Sequence, residues 1–549
     1  MTTIAELVLR RAGDSHRALL TDEQTWTWDE WVAECAARAG FLAGALRPGP
    51  PHVGVLLDNV PEYSLWLGAA ALAGAVIVGI NPTRRGAELH RDITHTDCQL
   101  IVTSDIYGPL LDGLNLTVPV LDVSQTTYHP AAPPEKEIRG KTGYLLLFTS
   151  GTTGAPKACW CSQGRLASIS EVVAQRYALT ADDVCYQAMP LFHSNALMTG
   201  WGPSLVAGAA TALRPRFSAS GFLPDVRRHS ATYFNYVGKP LSYILATPEQ
   251  PDDADNPLVR VFGNEAAPPD IERFAQRFGC TVDDGYGSTE GGAAVSRVAG
   301  MPPGALGVGT PGTAILDPET GAECAAARFD PHGHLINAEE AVGELVSRTA
   351  AAGFEGYYNN DEANAARLRD GIYWTGDLAY RDAEGFVYFA GRGHDWLRVD
   401  GENIAAAPVE RIISRHPDVF LASVYGVPDP AVGDQCMVTL RLRAGAAFDA
   451  AAFGAWVDAQ ADLGPVWAPR FVRVVDELPL TETGKVVKRR LQAERWNVAD
   501  VWWRPAKRGA FAPLTANEAA ALDRQVAARA VLPSQGEPVQ GLGDEPVDL

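Results

Sequence analysis

The residues with the clearest chemical potential lie between positions 149 and 157, in the stretch TSGTTGAPK. Four hydroxyl side chains and one lysine fall within nine residues, directly after the apolar run YLLLF. Glycines let the backbone N–H groups of such a turn point toward a bound anion, and the lysine adds a positive charge. The pattern predicts a cradle for a polyphosphate, formed by Thr149, Ser150, Gly151, Thr152, Thr153, Gly154 and Lys157.

This loop is not a Walker A motif, which requires a glycine, a lysine and then a serine or threonine. Pro156 takes the place of that glycine, and Ala158 follows the lysine. Composition alone leaves open a second interpretation, an exposed turn that is rich in small residues.

The net charge of the chain limits the ligands that it can bind, and its cysteines indicate its cellular compartment. The 549 residues carry a formal net charge of −20, which argues against a nucleic-acid partner and against an anionic membrane surface. An anionic ligand therefore needs local donors, such as those of the loop. The eight cysteines show no CxxC pairs and no zinc-ligand spacing, and the first residues lack the apolar core of a signal peptide. These features predict reduced thiols and a cytoplasmic location.

The elements that must position the loop follow an alternating pattern. The strand-like runs HVGVLL, AVIVGI, QLIVT, VPVLDV and YLLLFT alternate with helix-like segments. This alternation predicts an α/β protein with a mainly parallel sheet. The apolar stretch 64–80 is too short to span a membrane, and Gly74 interrupts it. We therefore expect a buried helix, a turn and a buried strand there.

Composition divides the chain into three parts. Apolar periodicity lapses near residues 391–403, and a smaller α+β pattern follows. We predict an N-terminal domain over residues 1–391, a C-terminal domain over 392–500 and an appended segment over 501–549. In the appended segment, Thr515 and Glu518 have the spacing of a capping box at a helix start. The final residues, GEPVQGLGDEPVDL, contain no basic residue and little apolar surface, which predicts disorder.

The order TSGTTGAPK resembles the phosphate loop of the adenylate-forming superfamily, which includes acyl-CoA synthetases, luciferases and the adenylation domains of peptide synthetases. Five further motifs similar to those of the superfamily follow in order: PLFHSNAL, VFGNEAAPPD, DDGYGSTEGG, YWTGDLAYRDAEGFVYFAGRGHDWLRVDGENI and LPLTETGKVVKRRL. Within the superfamily, the GNE triplet and the segment YVGKPLSYIL resemble bacterial long-chain fatty-acid-CoA ligases of the fatty-acid-transport-protein type.

This resemblance implies both a fold and a reaction. The fold would be a large N-terminal α/β domain, with mixed sheets and flanking helices, followed by a small mobile α+β C-terminal domain. A carboxylate of a hydrophobic acid would attack the α-phosphate of ATP, giving acyl-AMP and pyrophosphate. The thiol of CoA would then displace AMP. The implied cofactors are ATP, Mg²⁺ and CoA. We expect no nucleic-acid partner and no transmembrane segment, and the resemblance leaves room for a homodimer.

The resemblance assigns roles in the first half-reaction. The loop from Thr149 to Lys157 would hold the β- and γ-phosphates, and Thr289 would donate its hydroxyl toward the α-phosphate. Glu290 would hold Mg²⁺ together with the phosphates. Lys485 would enter the site during adenylation and stabilise charge on the α-phosphate and carboxylate oxygens.

Other motif residues would bind the nucleotide or line the acyl path. Asp377 would hold the ribose hydroxyls, Arg392 would reach the ribose or a phosphate, and Asp395 matches the hinge between the domains. Tyr286 would stack on the adenine. His193 would line the acyl or thiol path, although a lone histidine among apolar residues is more often a core residue. The remaining nucleotide-binding residues that the motifs imply are Gly263, Asn264, Glu265, Asp284, Gly285 and Gly287.

Several of these residues have a purely structural alternative. Taken alone, Glu290, Asp377 and Asp395 are typical turn or loop acids. Lys485 is typical of an exposed lysine beside a basic run, and Tyr286 of a buried core tyrosine. Only their order within the motifs favours the functional interpretation.

Two departures from the usual pattern keep other functions open. The segment LGPVWAPRFV lacks a lysine that many relatives carry, and Lys239 stands where transporter-type ligases tend to have an acid. The alternative function is an adenylate-forming biosynthetic enzyme with another acid or nucleophile: an amide ligase, a carrier-protein loading enzyme or a nitrite-activating diazotase. A third class, a nucleotide-binding relative without catalysis, is disfavoured because the motif residues are intact.

Overall fold

The computed structural model describes residues 1–149, 157–266, 268–330, 335–349, 353–392, 396–399, 402–429, 434–460, 463, 467–481, 486–505 and 508–531. Several predicted site residues lie outside these ranges: Ser150, Gly151, Thr152, Thr153, Gly154, Asp395 and Lys485. For Arg392 the backbone alone is described. The chain divides into a larger unit, which includes the described residues up to 392 together with Leu480 and Thr481, and a smaller unit, which contains the other described residues after 394.

The first sheet of the larger unit has six strands and carries the predicted phosphate loop. In spatial order the strands are Val120–Asp122, Cys98–Thr103, His52–Leu56, Val76–Gly79, Gly143–Thr149 and Lys157–Ser162. The first five run parallel, and the last pair is antiparallel. All five strand-like runs of the sequence are thus confirmed as neighbours in one sheet.

The second sheet of the larger unit is mixed. In spatial order its strands are Thr313–Leu316, Gly343–Ser347, Ile372–Arg381, Phe386–Arg392, Gly307–Gly309, Val295–Ser296, Thr281–Tyr286, Arg260–Asn264, Tyr233–Val237, Val184–Gln187, Ala210–Leu213, Arg17–Leu20 and Thr25–Thr27, with Leu368–Arg369 on a branch. Pairing is parallel from Arg17–Leu20 to Thr281–Tyr286 and antiparallel beyond. The expectation of a mainly parallel sheet therefore holds for one half only. In the other half, the strands Ile372–Arg381 and Phe386–Arg392 are joined by a four-residue turn, which is short enough to connect antiparallel neighbours directly.

Helices cover the two sheets of the larger unit. They are Ile4–Leu9, Trp28–Ala45, Pro61–Ala73, Gly86–His95, Gln163–Arg176, Gly202–Ala207, Phe222–His229, Pro240–Leu245, Pro268–Phe278, Ala338–Ala341 and Asp361–Arg367, with a 3₁₀ turn at Gly108–Leu111 and a π-helix at Ala196–Trp201. The helix Pro61–Ala73 ends at Gly74, whose φ of 59° is left-handed and suits glycine. The strand Val76–Gly79 follows, so the predicted helix, turn and strand are confirmed. Among the described helices, none has the length and hydropathy needed to cross a membrane.

One apolar core joins the two sheets. Its buried side chains come from the parallel strands of both sheets and from the helices Trp28–Ala45 and Pro61–Ala73. Trp31 and Trp201 both donate their indole N–H to the hydroxyl of Ser64, at 3.1 and 3.0 Å. This shared acceptor satisfies two buried indoles at once and fixes the π-helix against the core.

The smaller unit is an α+β domain, as the sequence predicts. Its main sheet contains Val419–Pro428, Asp434–Leu442, Phe471–Val474, Val501–Trp503 and Ala512–Pro513, and a two-stranded ribbon contains Trp396–Val399 and Glu402–Ala405. Its helices are Ala406–Ile413, Ala450–Asp458, Lys488–Glu494 and Ala516–Val531. The capping box at the last helix is confirmed, because Thr515 N–H donates to Glu518 at 2.8 Å and Glu518 N–H donates to Thr515 at 3.3 Å.

Candidate functional site

The predicted phosphate loop connects the two strands of a hairpin at the edge of the six-stranded sheet. Thr149 ends the strand Gly143–Thr149, and Lys157 begins the strand Lys157–Ser162 directly opposite. The apolar run before the loop is buried, which anchors the first strand in the core. The turn residues themselves lie outside the described residues. The hairpin therefore places the two ends of the loop, and the phosphate cradle stays a prediction.

Glu290 lies in a buried polar cluster rather than on an exposed turn. The residue is 8% exposed, and the hydroxyl of Tyr357 donates to its Oε1 at 2.8 Å. Arg367 donates from Nε to the Tyr357 oxygen at 3.3 Å and from Nη1 to the carbonyl of Trp374 at 3.2 Å. Burying a carboxylate costs free energy unless the carboxylate is hydrogen-bonded. The Tyr357 hydroxyl supplies this hydrogen bond to Glu290, and Arg367 in turn donates to the tyrosine. The alternative of a solvated turn acid does not fit this burial.

Lys157 lies on the same aromatic ring. Its ammonium nitrogen is 5.3 Å from the centroid of the Tyr357 ring, within the range of a cation–π contact. Burial, followed by the positive charge of Arg367, lowers the pKa of Lys157, and the carboxylates of Glu290 and Glu362 act in the opposite direction. An anionic ligand near this lysine would favour its charged form.

Thr289 is held by contacts on both its side chain and its carbonyl. Its hydroxyl lies 2.7 Å from the hydroxyl of Ser194. Its carbonyl accepts a hydrogen bond from Nη2 of Arg165 at 2.6 Å and a weaker one from the thiol of Cys159 at 3.6 Å. Arg165 is itself buried on the helix Gln163–Arg176, so this helix fixes the backbone next to Glu290. The Thr289 hydroxyl is therefore oriented by protein groups before any ligand arrives.

Asp377 is bonded to Tyr286, the residue that the motifs assigned to adenine. The hydroxyl of Tyr286 donates to Oδ2 of Asp377 at 2.6 Å. The N–H of Asp377 donates to the hydroxyl of Thr375 at 3.0 Å, and the backbone of Arg392 pairs with Asp377 across the hairpin. Burial and the neighbouring Asp377 raise the pKa of Tyr286, so its phenol stays protonated and donates. The tyrosine thus orients the ribose-binding candidate.

The strand Arg260–Asn264, which carries the predicted nucleotide-binding residues Gly263 and Asn264, runs beside the strand that carries Asp284. Gly263 and Asp284 are partners in the parallel register. Asn264 donates from Nδ2 to the carbonyl of Gly285 at 2.6 Å, which ties the two motifs together. A Cβ at Gly263 would lie 2.5 Å from the Tyr236 ring, so a side chain has no room there. Glu265, directly after the strand Arg260–Asn264, takes a left-handed φ of 71°.

Asp284 is a buried acid with a strongly shifted pKa. The residue is 7% exposed, and its Oδ2 accepts hydrogen bonds from the Tyr236 hydroxyl at 2.6 Å and from the Ala266 N–H at 3.1 Å. Burial raises the pKa of Asp284 to about 7, although both hydrogen bonds act in the opposite direction. This acid holds the turn after the strand Arg260–Asn264 rather than facing solvent.

His193 lies at the start of the segment that leads into the π-helix Ala196–Trp201. It is half-buried, and its ring centroid is 4.4 Å from that of Phe192. Its N–H donates to the carbonyl of Pro190 at 3.0 Å. The next residue, Ser194, contacts Thr289 directly, so this segment does border the nucleotide motif. The role of His193 toward an acyl group stays a prediction.

Sequence reasoning missed four residues that organise this site. Tyr357 and Arg367 support Glu290, whereas Arg165 and Ser194 support Thr289. Ser194 lies inside a recognised motif, PLFHSNAL, and could have been found there. The other three lie in segments without a motif signal. Their roles depend on tertiary contacts across 67 positions for Tyr357 and 124 positions for Arg165.

Family comparison gives this site its context. The family described as AMP-binding enzyme matches residues 8–358, and the AMP-binding enzyme C-terminal domain matches residues 408–485. The chain belongs to the AMP-binding enzyme family. This family is that of the adenylate-forming enzymes, and the resemblance seen in the motifs is confirmed.

Curated relatives cover nearly the whole chain. A steroid-22-oyl-CoA synthetase of Rhodococcus jostii is 50% identical over 538 residues, covering 95% of this chain and 97% of the relative. The medium/long-chain-fatty-acid–CoA ligase FadD17 of Mycobacterium tuberculosis is 48% identical over 510 residues, covering 91% and 98%. The prediction of an AMP-forming acyl-CoA synthetase is confirmed at the level of enzyme class.

Solved structures confirm the predicted fold. ATP-bound MatB from Rhodopseudomonas palustris matches with a TM-score of 0.77 at 24% identity, covering 90% of this chain and 99% of that one. A benzoate CoA ligase from Burkholderia xenovorans matches with a TM-score of 0.78 at 23% identity, covering 90% and 100%. The larger α/β domain and the smaller α+β domain are those of adenylate-forming enzymes.

Proposed function

We propose that this protein couples a hydrophobic carboxylic acid to CoA through an acyl-AMP intermediate, with fatty acids and steroid side-chain acids as the candidate substrates. A relative that is 50% identical to this chain is named for a steroid-22-oyl group, and one that is 48% identical is named for medium- and long-chain fatty acids. The observation that carries the proposal is the cluster of Lys157, Tyr357 and Glu290 beside the hairpin, because it sets a cation and a carboxylate close together where a metal-bound polyphosphate would need both.

Four groups of this chain would bind the nucleotide. Lys157 and the loop before it would hold the terminal phosphates, and the Thr289 hydroxyl would donate toward the α-phosphate. Asp377, oriented by Tyr286, would accept hydrogen bonds from the ribose hydroxyls. The turn after Asn264 would contact the base. Such preformed donors and acceptors favour attack by positioning the reactants and by stabilising the charge that develops.

The residues around Glu290 fit a magnesium ion shared with phosphates. Oε1 of Glu290 accepts from Tyr357, which leaves Oε2 for a cation. Among the described residues, no cluster of three or more His, Cys, Asp or Glu side chains could hold a metal. Mg²⁺ commonly binds through one or two carboxylates, substrate phosphates and water, so a single buried glutamate is an appropriate partner. When bound, the ion would neutralise phosphate charge.

Further roles rest on the motifs alone. Lys485 would stabilise charge during adenylation, Arg392 would reach the ribose or a phosphate, and Asp395 would act as the hinge that replaces one domain orientation by another. His193 would line the acyl or thiol path.

We also propose a cytoplasmic location, since every cysteine is a free thiol. The homodimer remains an expectation that light scattering would test.

The test measures both half-reactions separately. Pyrophosphate exchange with ATP would be followed over a panel of fatty, steroid and aryl acids, and CoA would then be added and the product identified by mass spectrometry. We expect exchange with apolar acids and a CoA thioester after the addition. Exchange without any thioester would instead indicate the biosynthetic alternative, in which a different nucleophile accepts the acyl group.

A further inference from the structure

Tyr357 lies where two opposite charges of the nucleotide site meet. The residue is 4% exposed and belongs to the segment that precedes the helix Asp361–Arg367. Its hydroxyl contacts Glu290, and the face of its ring contacts the ammonium of Lys157. One side chain thus contacts both the carboxylate that would bind the metal and the lysine that would bind phosphate.

The direction of the hydrogen bonds at Tyr357 is fixed by its neighbours. A phenol can donate one hydrogen and can also accept. Nε of Arg367 can only donate, and it points at the Tyr357 oxygen at 3.3 Å. The single hydroxyl hydrogen is therefore left for Oε1 of Glu290, at 2.8 Å.

Arg367 is fixed in turn by the strand that carries the ribose-binding candidate. Its Nη1 donates to the carbonyl of Trp374, and a Cβ at Gly376 would lie 2.4 Å from the same nitrogen. Gly376 therefore has to be a glycine for the guanidinium to lie there, and its φ of 73° favours glycine as well. The chain of contacts runs from the strand Ile372–Arg381 through Arg367 and Tyr357 to Glu290.

We propose that Tyr357 is a positioning residue for the metal site. Its hydroxyl holds Oε1 of Glu290 so that Oε2 faces the divalent cation, and its ring holds the ammonium of Lys157 on the phosphate side. This inference rests on the proposed role of Glu290 as the metal ligand. Partners of metal-binding carboxylates fix the ligand geometry, and their loss typically lowers metal affinity by roughly 10- to 100-fold.

The experiment compares two tyrosines that are neighbours in the sequence. Y357F removes the hydroxyl and keeps the ring, whereas Y357L removes both. The matched control is Y358F, because Tyr358 also donates to a carboxylate at 2.8 Å, that of Asp97, which lies outside the site. E290Q tests the metal ligand itself.

Two measurements are made on the full-length protein. Mn²⁺ binding is titrated by electron paramagnetic resonance in the presence of an ATP analogue that carries a methylene bridge between the α- and β-phosphates. Binding of the same analogue without metal is measured by calorimetry.

The proposal makes a distinct prediction for each variant. Y357F should weaken Mn²⁺ binding roughly tenfold and change binding of the metal-free analogue by less than about twofold. Y357L should weaken both, because Lys157 loses its aromatic support as well. Y358F should behave as the wild type. The thermal unfolding midpoint of each variant would show that the fold is retained.

Two results would overturn the proposal. Only the second would also overturn the proposed role of Glu290 as the metal ligand. If E290Q loses Mn²⁺ affinity while Y357F keeps it, Glu290 is the ligand and Tyr357 does not position it. If E290Q and Y357F both bind Mn²⁺ as the wild type does, the metal role of Glu290 fails, and the positioning role fails with it.

Discussion

At the scale of single residues, the site depends on buried polar groups whose partners are supplied by the protein. Glu290, Thr289 and Asp377 each accept or share a hydrogen bond with a tyrosine or serine hydroxyl. Buried polar groups that lack partners are costly, so these contacts keep the site formed before the nucleotide binds. Asp284 differs from these residues, because burial favours the neutral form of its carboxyl group.

Replacement of Asp284 with asparagine should change how stability depends on pH. The pKa of this acid is raised from 3.8 to about 7 in the folded protein, so its stabilising contribution is complete below pH 3.8 and is lost as the pH rises to about 7. Asparagine keeps an acceptor for Tyr236 and Ala266 and does not titrate. Relative to wild type, D284N should therefore gain about 2–3 kcal/mol in unfolding free energy between pH 5 and pH 8. Urea unfolding at both pH values measures this difference.

A constant difference between D284N and wild type over this pH range would contradict the shifted pKa. The neighbouring variant D283N is the control, because Asp283 is partly exposed and is paired with Arg176 instead. It should show no gain of this kind. Arg297 and Glu265 also influence Asp284, in opposite directions, so the salt concentration is held constant.

Replacement of Arg165 with lysine should impair adenylation through the backbone of Thr289. The guanidinium donates to the carbonyls of Thr289 and Trp160 at 2.6 and 3.0 Å, and lysine cannot reproduce this fork. Displacement of the Thr289 hydroxyl should lower pyrophosphate exchange by roughly 10- to 100-fold. R176K, at the partly exposed end of the same helix, should change exchange by less than about twofold. Wild-type exchange in R165K would show that this contact does not position Thr289.

At the scale of elements, hairpin and strand geometry bring the motifs to one place. The hairpin at residues 143–162 ends in the phosphate loop, and the paired strands Arg260–Asn264 and Thr281–Tyr286 bring the nucleotide motifs side by side. Gly263 is required in this pairing, because the Tyr236 ring occupies the space of its missing side chain.

Replacement of Gly263 with alanine should push the strands Arg260–Asn264 and Thr281–Tyr286 away from Tyr236, which lies on the neighbouring strand Tyr233–Val237. The new Cβ would lie 2.5 Å from both the ring and the carbonyl of Tyr236, and backbone must shift to relieve this contact. We expect a loss of about 1–3 kcal/mol in unfolding free energy and weaker AMP binding by calorimetry. G44A is the matched control, because Gly44 is helical and has no atom near its Cβ position. Alanine there should leave stability unchanged or slightly raised. A G263A variant as stable as G44A would contradict the close packing.

Local patterns predicted much of the parallel part of the fold. Runs such as AVIVGI are continuous and apolar because both faces of a parallel strand are buried, and this signal is local. The strands Val295–Ser296 and Gly307–Gly309 of the antiparallel half have no such signal, because they are only two and three residues long. Tyr357 and Arg367 were missed for a related reason, because their significance arises from contacts with Glu290 that no local pattern encodes.

At the scale of the whole molecule, we expect the two half-reactions to use two arrangements of the domains. The larger unit contains the nucleotide motifs, and Lys485 would act only during adenylation. The motif resemblance implies that hinge motion at Asp395 removes this lysine before CoA attacks.

Replacement of Lys485 with alanine should therefore affect one half-reaction selectively. Loss of an ammonium that would neutralise the α-phosphate should lower pyrophosphate exchange by roughly 100-fold or more. Thioester formation from chemically prepared acyl-AMP and CoA should change by less than about threefold, because the proposed role of the lysine ends with adenylation. The two rates are measured separately by isotope exchange and by chromatography. Equal losses in both rates would argue against a role confined to adenylation.

The proposed reaction begins when a carboxylate oxygen of the acid attacks the α-phosphate of ATP, and isotope labelling tests this step directly. An apolar acid whose two carboxylate oxygens are ¹⁸O would be turned over with ATP, Mg²⁺ and CoA, and the products would be analysed by mass spectrometry. The account predicts that AMP contains one ¹⁸O atom and that pyrophosphate contains none. Unlabelled AMP, or label in inorganic phosphate with ADP as the product, would contradict it.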